Sequence, residues 1–445
     1  MGVEMGEGMS YQQRNGFLSP SQIVSALQNP DLRFQDDPTG MRLARQLLRN
    51  PNTPRLQRWF AHRLNGRLSS ALNSATPAWH ANLPRPRSLA SPQPGFVYLA
   101  CLPTGDWMVM PVSSLTRNLG MFGAAGSGKS NWLRGFIPQL MLNGVGVLAW
   151  DAKGKGELVD SSLFKTLGLK LYVWRWQELR VAPLECPRWL EVSYWANLLV
   201  SLFSSQWSLF TSTTLLLELI HEFFHAPGQR TFDRLILTAE AFKASSYRSE
   251  QYKDVLVRNL RMIFHAFGRE VINAESSNMI DLMTREKGAC HVILTDGLPA
   301  ECASLLASWF LLRDYEYRRC HEEAQSQITC YVFDDAMRLF HSKASDRELA
   351  GISPLDTISY MGRSLGLSLC VSMQNISHCS SYFLQNCDTL LMCGCYGDDC
   401  RTAQRICNLT NSQAEYLSCM RPGEMAVLCR SVWSKCVVGY VPRVE

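Results

Sequence analysis

Short apolar runs alternate with segments of helical periodicity from about residue 96 to the end of the chain. A short, wholly apolar run is typical of a strand buried on both faces, and strands that alternate with helices favour a mainly parallel sheet. The pattern therefore predicts an α/β core with helices on both faces of the sheet, in which the last two strands form a closing pair. The runs that we interpret as strands are 96–100, 107–110, 119–122, 145–150, 171–174, 290–295, 331–333, 367–372, 390–396, 425–429 and 436–441.

Two regions of the chain lack this alternation. Residues 189–285 show helical spacing with few strand signals, which predicts an all-α subdomain inserted into the core. Residues 1–95 also carry helical spacing, and a proline-rich stretch near their end indicates a linker. We therefore expect a helical N-terminal region, a first core part at 96–188, the insertion, and a second core part at 286–445.

Composition and charge limit the classes of protein that fit. The apolar fraction of 46% and the charged fraction of 19% suit a globular protein with a substantial core, and the formal net charge of +5 permits a nucleic-acid partner without arguing for one. Polar residues interrupt the most apolar long stretch, at 195–224, so we expect no transmembrane helix. The N-terminus shows no signal pattern, which favours a cytoplasmic protein.

The N-terminal region is rich in arginine. These residues indicate either a solvated helix face or a basic surface for nucleic acid or a partner protein, and the sequence leaves both open. They are Arg42, Arg45, Arg49, Arg55, Arg58, Arg63 and Arg67.

The chain has sixteen cysteines. Disulfide frameworks belong mainly to small secreted chains, so we do not expect one here. The densest group is Cys387, Cys393, Cys395 and Cys400, but it lacks the paired Cys-x-x-Cys motifs that would support a zinc site. We interpret Cys393 and Cys395 as small apolar residues of a buried strand.

A glycine-rich loop carries the strongest chemical signal, because residues 123–130 satisfy the pattern GxxxxGK[ST] in full. Its glycines let backbone N–H groups surround phosphate oxygens, Lys129 supplies a charge for the β- and γ-phosphates, and the Ser130 hydroxyl can ligate Mg²⁺. A strand is expected before the loop and a helix after it, so the helix N-terminus would face the same phosphates. We therefore expect a RecA-like P-loop NTPase core that binds ATP and Mg²⁺. The loop residues are Gly123, Ala124, Ala125, Gly126, Ser127, Gly128, Lys129 and Ser130.

Hydrolysis also requires a carboxylate that helps to hold the metal and a group that orients the attacking water. The apolar run 331–333 ends in Asp334 and Asp335. We expect Asp334 to assist Mg²⁺ binding and Asp335 to polarise the water, and the alternative is an ordinary acidic strand end. A GTPase fits less well, since no guanine-reading sequence follows the Asp-x-x-Gly pattern at 151–154.

An ordered set of motifs runs through the chain. The glycine-rich loop is followed by a strand that ends in the polar segment 151–157, by the helical insertion, and by the sequence Phe-Asp-Asp at 333–335. Later, Arg363 precedes a strand that ends in Gln374, and a Gly-Glu turn lies within 421–427. Over about residues 96–445 this set resembles the FtsK/HerA superfamily of DNA-pumping ATPases, in particular the TraG/TraD-like coupling proteins of type IV secretion.

The resemblance implies roles for two further residues. Gln374 would sense the γ-phosphate, although a strand-end amide can equally pair with backbone. Arg363 would act as an arginine finger in the site of the next subunit, or else form a surface ion pair. Arg401 and Arg421 are rival candidates for the finger.

Two features depart from the family pattern. The family usually places glutamate where this chain has Asp335, so hydrolysis could be slow or depend on Glu157. Coupling proteins also usually begin with membrane helices, so this chain would work with a separate membrane component or have another task. Lys153 and Lys155 would contact DNA phosphates, follow the state of the nucleotide, or lie in a solvated loop.

The resemblance implies a hexameric ATPase that moves DNA or a DNA–protein conjugate, with little sequence preference. It would be cytoplasmic, or peripheral at the inner membrane through a secretion-system component or a substrate adaptor. The sequence leaves two alternatives open. One is an ATPase that drives protein secretion, and the other is a nucleotide-gated assembly switch with little turnover.

Overall fold

A computed structural model of the chain contains one eleven-stranded sheet in its described part. The residues described are 20–28, 34, 37–51, 53–57, 60, 94–102, 107–154, 156, 158–207, 213–244, 246–274, 276–336, 354–432 and 435–441. The strands are β1 (Phe96–Cys101), β2 (Trp107–Pro111), β3 (Leu119–Phe122), β4 (Gly146–Asp151), β5 (Lys170–Arg175), β6 (Ala289–Leu294), β7 (Thr329–Asp334), β8 (Leu367–Met373), β9 (Thr389–Met392), β10 (Glu424–Cys429) and β11 (Val437–Tyr440).

The strand order is β2-β1-β11-β10-β9-β3-β8-β7-β4-β6-β5. From β9 to β5 every neighbouring pair is parallel, and from β2 to β9 every pair is antiparallel. The predicted α/β fold with a mainly parallel sheet is therefore confirmed, and β10 and β11 form the closing pair. The parallel half brings the carboxyl ends of β3, β8, β7 and β4 to one edge of the sheet.

The α-helices of the described residues follow in chain order. They are α1 (Pro20–Gln28), α2 (Pro38–Arg49), α3 (Lys129–Leu142), α4 (Ser161–Thr166), α5 (Val192–Trp207), α6 (Thr213–His225), α7 (Phe232–Ala241), α8 (Tyr247–Phe267), α9 (Arg269–Ile272), α10 (Asn278–Arg285), α11 (Ala300–Cys320), α12 (Glu322–Gln325), α13 (Pro354–Met361), α14 (Ser381–Asn386), α15 (Asp398–Cys407) and α16 (Asn411–Cys419).

Polar side chains fix where several helices begin. The Asp160 carboxylate accepts hydrogen bonds from the backbone of Ser162 and Leu163 at the start of α4. At the start of α16, Thr410 and Gln413 cap each other's backbone N–H groups. Such caps satisfy donors that have no partner inside the helix.

Helices cover both faces of the sheet and bury its alternating side chains. On β7, Tyr331 and Phe333 face one hydrophobic cluster with α11, while Cys330 and Val332 face the other with α3. Both sets are buried, which explains why the central strands read as continuous apolar runs. The central strands and α3 thus hold the glycine-rich loop on a rigid core.

The segment between β5 and β6 is helical, with α5–α10 and no strand among its described residues. Large apolar side chains of α5, α6 and α8 join the same cluster as α11. The division of the chain into domains remains a prediction. Within the described residues, no helix is both long and apolar enough to cross a bilayer.

The N-terminal helices α1 and α2 pack around a small hydrophobic cluster of their own, which includes Leu43 and Leu47. Arg42, Arg45 and Arg49 are exposed on α2. Binding of nucleic acid or a partner protein by this face stays a prediction. Arg58, Arg63 and Arg67, together with most of the predicted linker, lie outside the described residues.

Candidate nucleotide site

The glycine-rich loop joins β3 to α3 at the carboxyl edge of the sheet. A Cβ atom on Gly123 would lie 2.3 Å from the carbonyl oxygen of Cys393, so only glycine fits there. Gly126 and Gly128 have φ angles of +77° and +104°, which side chains other than glycine rarely adopt. The glycines of the loop are therefore required for two reasons, close packing at Gly123 and backbone conformation at Gly126 and Gly128.

The segments that flank β9 and β10 support this loop. Strand β9 ends at Met392, so the prediction of a strand through residue 396 is wrong. The chain turns at Gly394 instead, and the Gly394 carbonyl oxygen accepts a 3.1 Å hydrogen bond from the Ala124 N–H. On the other side, the Gly423 N–H donates to the Ser127 carbonyl oxygen at 3.2 Å.

The N-terminus of α3 offers donors to a ligand. Gly128 precedes α3 without a side-chain cap, so the helix begins with N–H groups that no capping side chain satisfies. Lys129 folds back over the loop, where its ammonium donates to the carbonyl oxygens of Gly123 at 2.5 Å and Ala124 at 3.0 Å. Burial lowers the pKa of Lys129, while nearby carboxylates oppose that shift. The loop is thus a cationic cradle of the kind that phosphate groups occupy.

A carboxylate and a hydroxyl converge beside this cradle. The Ser130 hydroxyl, in the first turn of α3, lies 3.4 Å from Asp334 Oδ2 at the end of β7, although β8 lies between β3 and β7 in the sheet. The Ser372 hydroxyl on β8 donates to the other oxygen, Asp334 Oδ1, at 3.0 Å. Hydroxyl and carboxylate oxygens are the ligands that Mg²⁺ prefers, so these residues fit the ion. The sequence analysis missed Ser372, which fixes the orientation of the aspartate.

Asp335 and Gln374 lie together at the ends of neighbouring strands. Gln374 Nε2 donates to Asp335 Oδ2 at 3.4 Å. Asp335 has a φ angle of +58°, a left-handed conformation that aspartate tolerates better than most residues. The half-buried carboxylate therefore stands in a defined position beside Asp334.

Asp151 is a third carboxylate at this edge. It ends β4, lies opposite Asp334 in the sheet register, and is buried. Its Oδ1 accepts hydrogen bonds from the backbone N–H groups of Lys153 at 2.9 Å and Gly154 at 3.1 Å. Burial raises the pKa of Asp151. Asp151 therefore anchors the turn that follows β4, a role that the sequence analysis did not assign.

The side chain of Lys153 points towards the nucleotide site. Its ammonium lies 3.7 Å from Asp334 Oδ2, the same oxygen that faces Ser130. The Lys153 side chain is 46% exposed, so it lies between the site and solvent. Lys155 and Glu157, which the sequence analysis also considered, lie outside the described residues.

The three candidate arginines are divided between the two edges of the sheet, with Arg401 and Arg421 at the edge of the glycine-rich loop and Arg363 at the other. Arg363 is exposed in a short helical turn before β8, whereas Gln374 follows the other end of that strand. Arg401 lies after β9 and pairs with Asp398 at 3.2 Å, with both side chains exposed. Arg421 lies in the turn before β10 and pairs with Glu424 at 3.9 Å. Only Arg363 lies at the opposite edge from the glycine-rich loop of its own chain.

The cysteines of the densest group do not surround one point. Cys387 precedes β9 and Cys393 follows it, so the strand separates them. Burial raises the pKa of the Cys393 thiol to about 12. Among the described residues, no group of three or more histidine, cysteine or acidic side chains has a geometry suited to a metal ion.

The fold is that of a RecA-like P-loop NTPase core. The solved structure of VirB4 from Thermoanaerobacter pseudethanolicus is similar, with a TM-score of 0.56 and 16% identity over 80% of this chain and 98% of that one. The plasmid coupling protein TrwB in complex with ADP and Mg²⁺ has a TM-score of 0.53 and 15% identity over 80% of this chain and 91% of that one. These likenesses confirm the resemblance at the level of the fold. Comparisons with protein-family models and with curated proteins gave no match.

Proposed function

We propose that this protein binds Mg²⁺ and ATP at the glycine-rich loop and hydrolyses the nucleotide. The observation that carries the proposal is the 3.4 Å approach of the Ser130 hydroxyl to Asp334 Oδ2 beside that loop. A phosphate cradle and a pair of magnesium-type ligands occur together in this arrangement in P-loop NTPases. The solved complex of TrwB with ADP and Mg²⁺ supports the same assignment.

Each residue of the site would have a separate role in binding or hydrolysis. Backbone N–H groups of the loop and the start of α3 would hold the phosphates, with Lys129 released from the loop carbonyls to pair with them. Ser130 would ligate Mg²⁺ and Asp334 would assist, and the ion would neutralise charge on the phosphate oxygens. Asp335 would accept a hydrogen bond from the attacking water, and Gln374 would hold Asp335 and sense the γ-phosphate.

We assign the arginine finger to Arg363, acting on the neighbouring subunit of a homo-hexamer. Strand β8, which is seven residues long and spans roughly 20 Å at the usual strand rise, lies between Arg363 and Gln374, so Arg363 cannot reach the nucleotide of its own chain. An exposed arginine at the far edge can instead approach a site in an adjacent copy. An arginine finger supplied in trans raises turnover by about 10³-fold or more.

The proposed work of the motor is to move DNA or a DNA–protein conjugate. The support is the shared fold with TrwB, which is described as a plasmid coupling protein, and with VirB4. The protein would act in the cytoplasm or at the inner membrane through a secretion-system component or adaptor. Contacts with the DNA backbone would give little sequence preference and strong dependence on salt.

Steady-state ATP hydrolysis with and without double- and single-stranded DNA, at low and moderate salt, tests this proposal. Stimulation by DNA that weakens as salt rises supports a DNA motor. Turnover that ignores both forms of DNA favours the protein-secretion alternative. Tight ATP binding with negligible turnover favours the assembly switch.

The finger is tested in the same assay by mixing subunits. An Arg363→Ala chain and an Asp335→Asn chain should each lose about 10²-fold or more of turnover when assembled alone. If the finger acts in trans, mixed assemblies regain turnover, because some sites combine an intact Asp335 with a neighbour's Arg363. No recovery in assemblies shown to be mixed would exclude Arg363 as the finger.

A further inference from the structure

We propose that Lys153 occupies the place of the metal ion in the nucleotide-free protein and that Mg²⁺ displaces it from Asp334. The inference rests on the proposed function, because it concerns the same metal-binding carboxylate. It assigns to Lys153 a role that is neither catalysis nor contact with the transported polymer.

The two oxygens of Asp334 have different partners. Oδ1 is held by the Ser372 hydroxyl at 3.0 Å, inside the buried part of the sheet. Oδ2 faces the Ser130 hydroxyl at 3.4 Å and the Lys153 ammonium at 3.7 Å. Oδ2 is therefore the oxygen available to a metal ion beside Ser130, and within the described chain Lys153 is the cation that pairs with it.

The turn after β4 positions Lys153 for this contact. The buried Asp151 carboxylate holds the N–H groups of Lys153 and Gly154, so the backbone here is fixed to the sheet edge. Gly154 and Gly156 have φ angles of +67° and +65°, which permit a sharp turn. These hydrogen bonds fix the backbone from which the Lys153 side chain extends towards Asp334, and they leave the side chain itself free to move.

The negative charge of Asp334 can be balanced either by the Lys153 ammonium or by a divalent ion, so one can replace the other. Asp334 is 6% exposed, and a carboxylate buried to this extent is costly without a positive partner. Lys153 supplies that partner when no metal is present. Because its side chain is 46% exposed, it can move into solvent when a divalent ion, which interacts more strongly with a carboxylate, takes its place.

This arrangement predicts competition between the lysine and the metal. Removal of the ammonium should tighten metal binding, while an arginine at the same position should preserve the competition. The expected change is roughly two- to fivefold in affinity, because a half-exposed ion pair contributes only modestly.

Binding of Mn²⁺ to the 445-residue chain in the presence of ADP, measured by electron paramagnetic resonance, tests the proposal without relying on turnover. Lys153→Met should bind Mn²⁺ more tightly than wild type, and Lys153→Arg should match wild type. Lys165→Met, which removes an exposed lysine from α4, is the matched control and should leave the affinity unchanged.

Amide hydrogen exchange of residues 152–154 provides a second readout. Because the Asp151 carboxylate, not the lysine side chain, holds these N–H groups, exchange in Lys153→Met should match wild type, which shows that the substitution removes the ammonium and leaves the turn intact. Equal or weaker Mn²⁺ binding by Lys153→Met would overturn the proposal. Failure of the wild-type protein to bind Mn²⁺ with ADP would overturn the proposed nucleotide site itself.

Discussion

Arg318 links α11 to β7, which ends in Asp334, and to β8, which Gln374 follows. Its side chain is buried, and its Nε pairs with Asp314 at 3.0 Å. Nη1 donates to the carbonyl oxygen of Gln327, just before β7, at 2.6 Å and to that of Leu365, just before β8, at 3.1 Å. Nη2 donates to the hydroxyl of Thr329, the first residue of β7, at 2.6 Å. We expect Arg318→Met to loosen the amino ends of both strands together.

The structure sets the size of the effect. Methionine keeps most of the length of the side chain but removes every donor, leaving Asp314 without its charged partner and several buried acceptors unsatisfied. Breaking a buried pair from one side costs about 3–5 kcal/mol. Asp314 keeps a 2.9 Å hydrogen bond from the Tyr331 hydroxyl, and burial raises its pKa, so the carboxyl can take up a proton in the variant. We therefore expect a loss of about 3 kcal/mol in the free energy of unfolding, at the lower end of that range.

Urea unfolding followed by far-ultraviolet circular dichroism measures this loss. The paired variant Arg318→Met/Asp314→Asn removes both charges and should recover part of it, so the two single effects should not add. A loss below about 1 kcal/mol for Arg318→Met, or strict additivity with Asp314→Asn, would refute the reasoning.

Three further predictions concern the site and the sheet edge. Asp335→Asn should lower ATP turnover by about 10²-fold while fluorescence titration shows nearly unchanged nucleotide affinity; lost affinity would contradict the assigned role. Gly123→Ala places a Cβ atom 2.3 Å from the Cys393 carbonyl oxygen. It should therefore weaken nucleotide binding and lower the free energy of unfolding by about 1–3 kcal/mol. A melting curve equal to that of wild type would contradict that packing. Burial lowers the pKa of His291, whose Nδ1 accepts a hydrogen bond from the indole of Trp174 at 3.2 Å. Because the unfolded chain then binds a proton more readily than the folded one, the free energy of unfolding should fall as pH drops below about 6.5. Urea titrations of His291→Gln should show a weaker dependence on pH over this range.

The sequence predicted the fold well where the residues of one strand or helix were enough to identify it. The continuous apolar runs at β4, β7 and β8 indicated strands buried on both faces, and the structure confirms them. The end of β9 was not predictable, because Cys393 and Cys395 are as apolar as the strand before them. What ends the strand is the turn at Gly394 and its hydrogen bond to the glycine-rich loop, a contact between segments far apart in the chain.

The same limit applies to the site. The glycine-rich loop is contiguous, so its pattern was complete in the sequence. Asp334 was recognisable because it ends an apolar strand. Ser372 carried no such signal, since a serine inside a strand is common. Asp151 also ends an apolar strand, so the sequence marked its position but not its role as the anchor of the following turn. Their roles follow from the strand order, which places β8 and β4 on either side of β7.

Release of phosphate from ATP by purified protein is the measurement that tests the central claim most directly. Wild type and the Lys165→Ala control should turn over ATP in the presence of Mg²⁺. Lys129→Ala should lose about 10²-fold or more of that activity, because the cradle loses its charge for the β- and γ-phosphates. Turnover by Lys129→Ala equal to that of wild type would contradict the assignment of this loop as the nucleotide site.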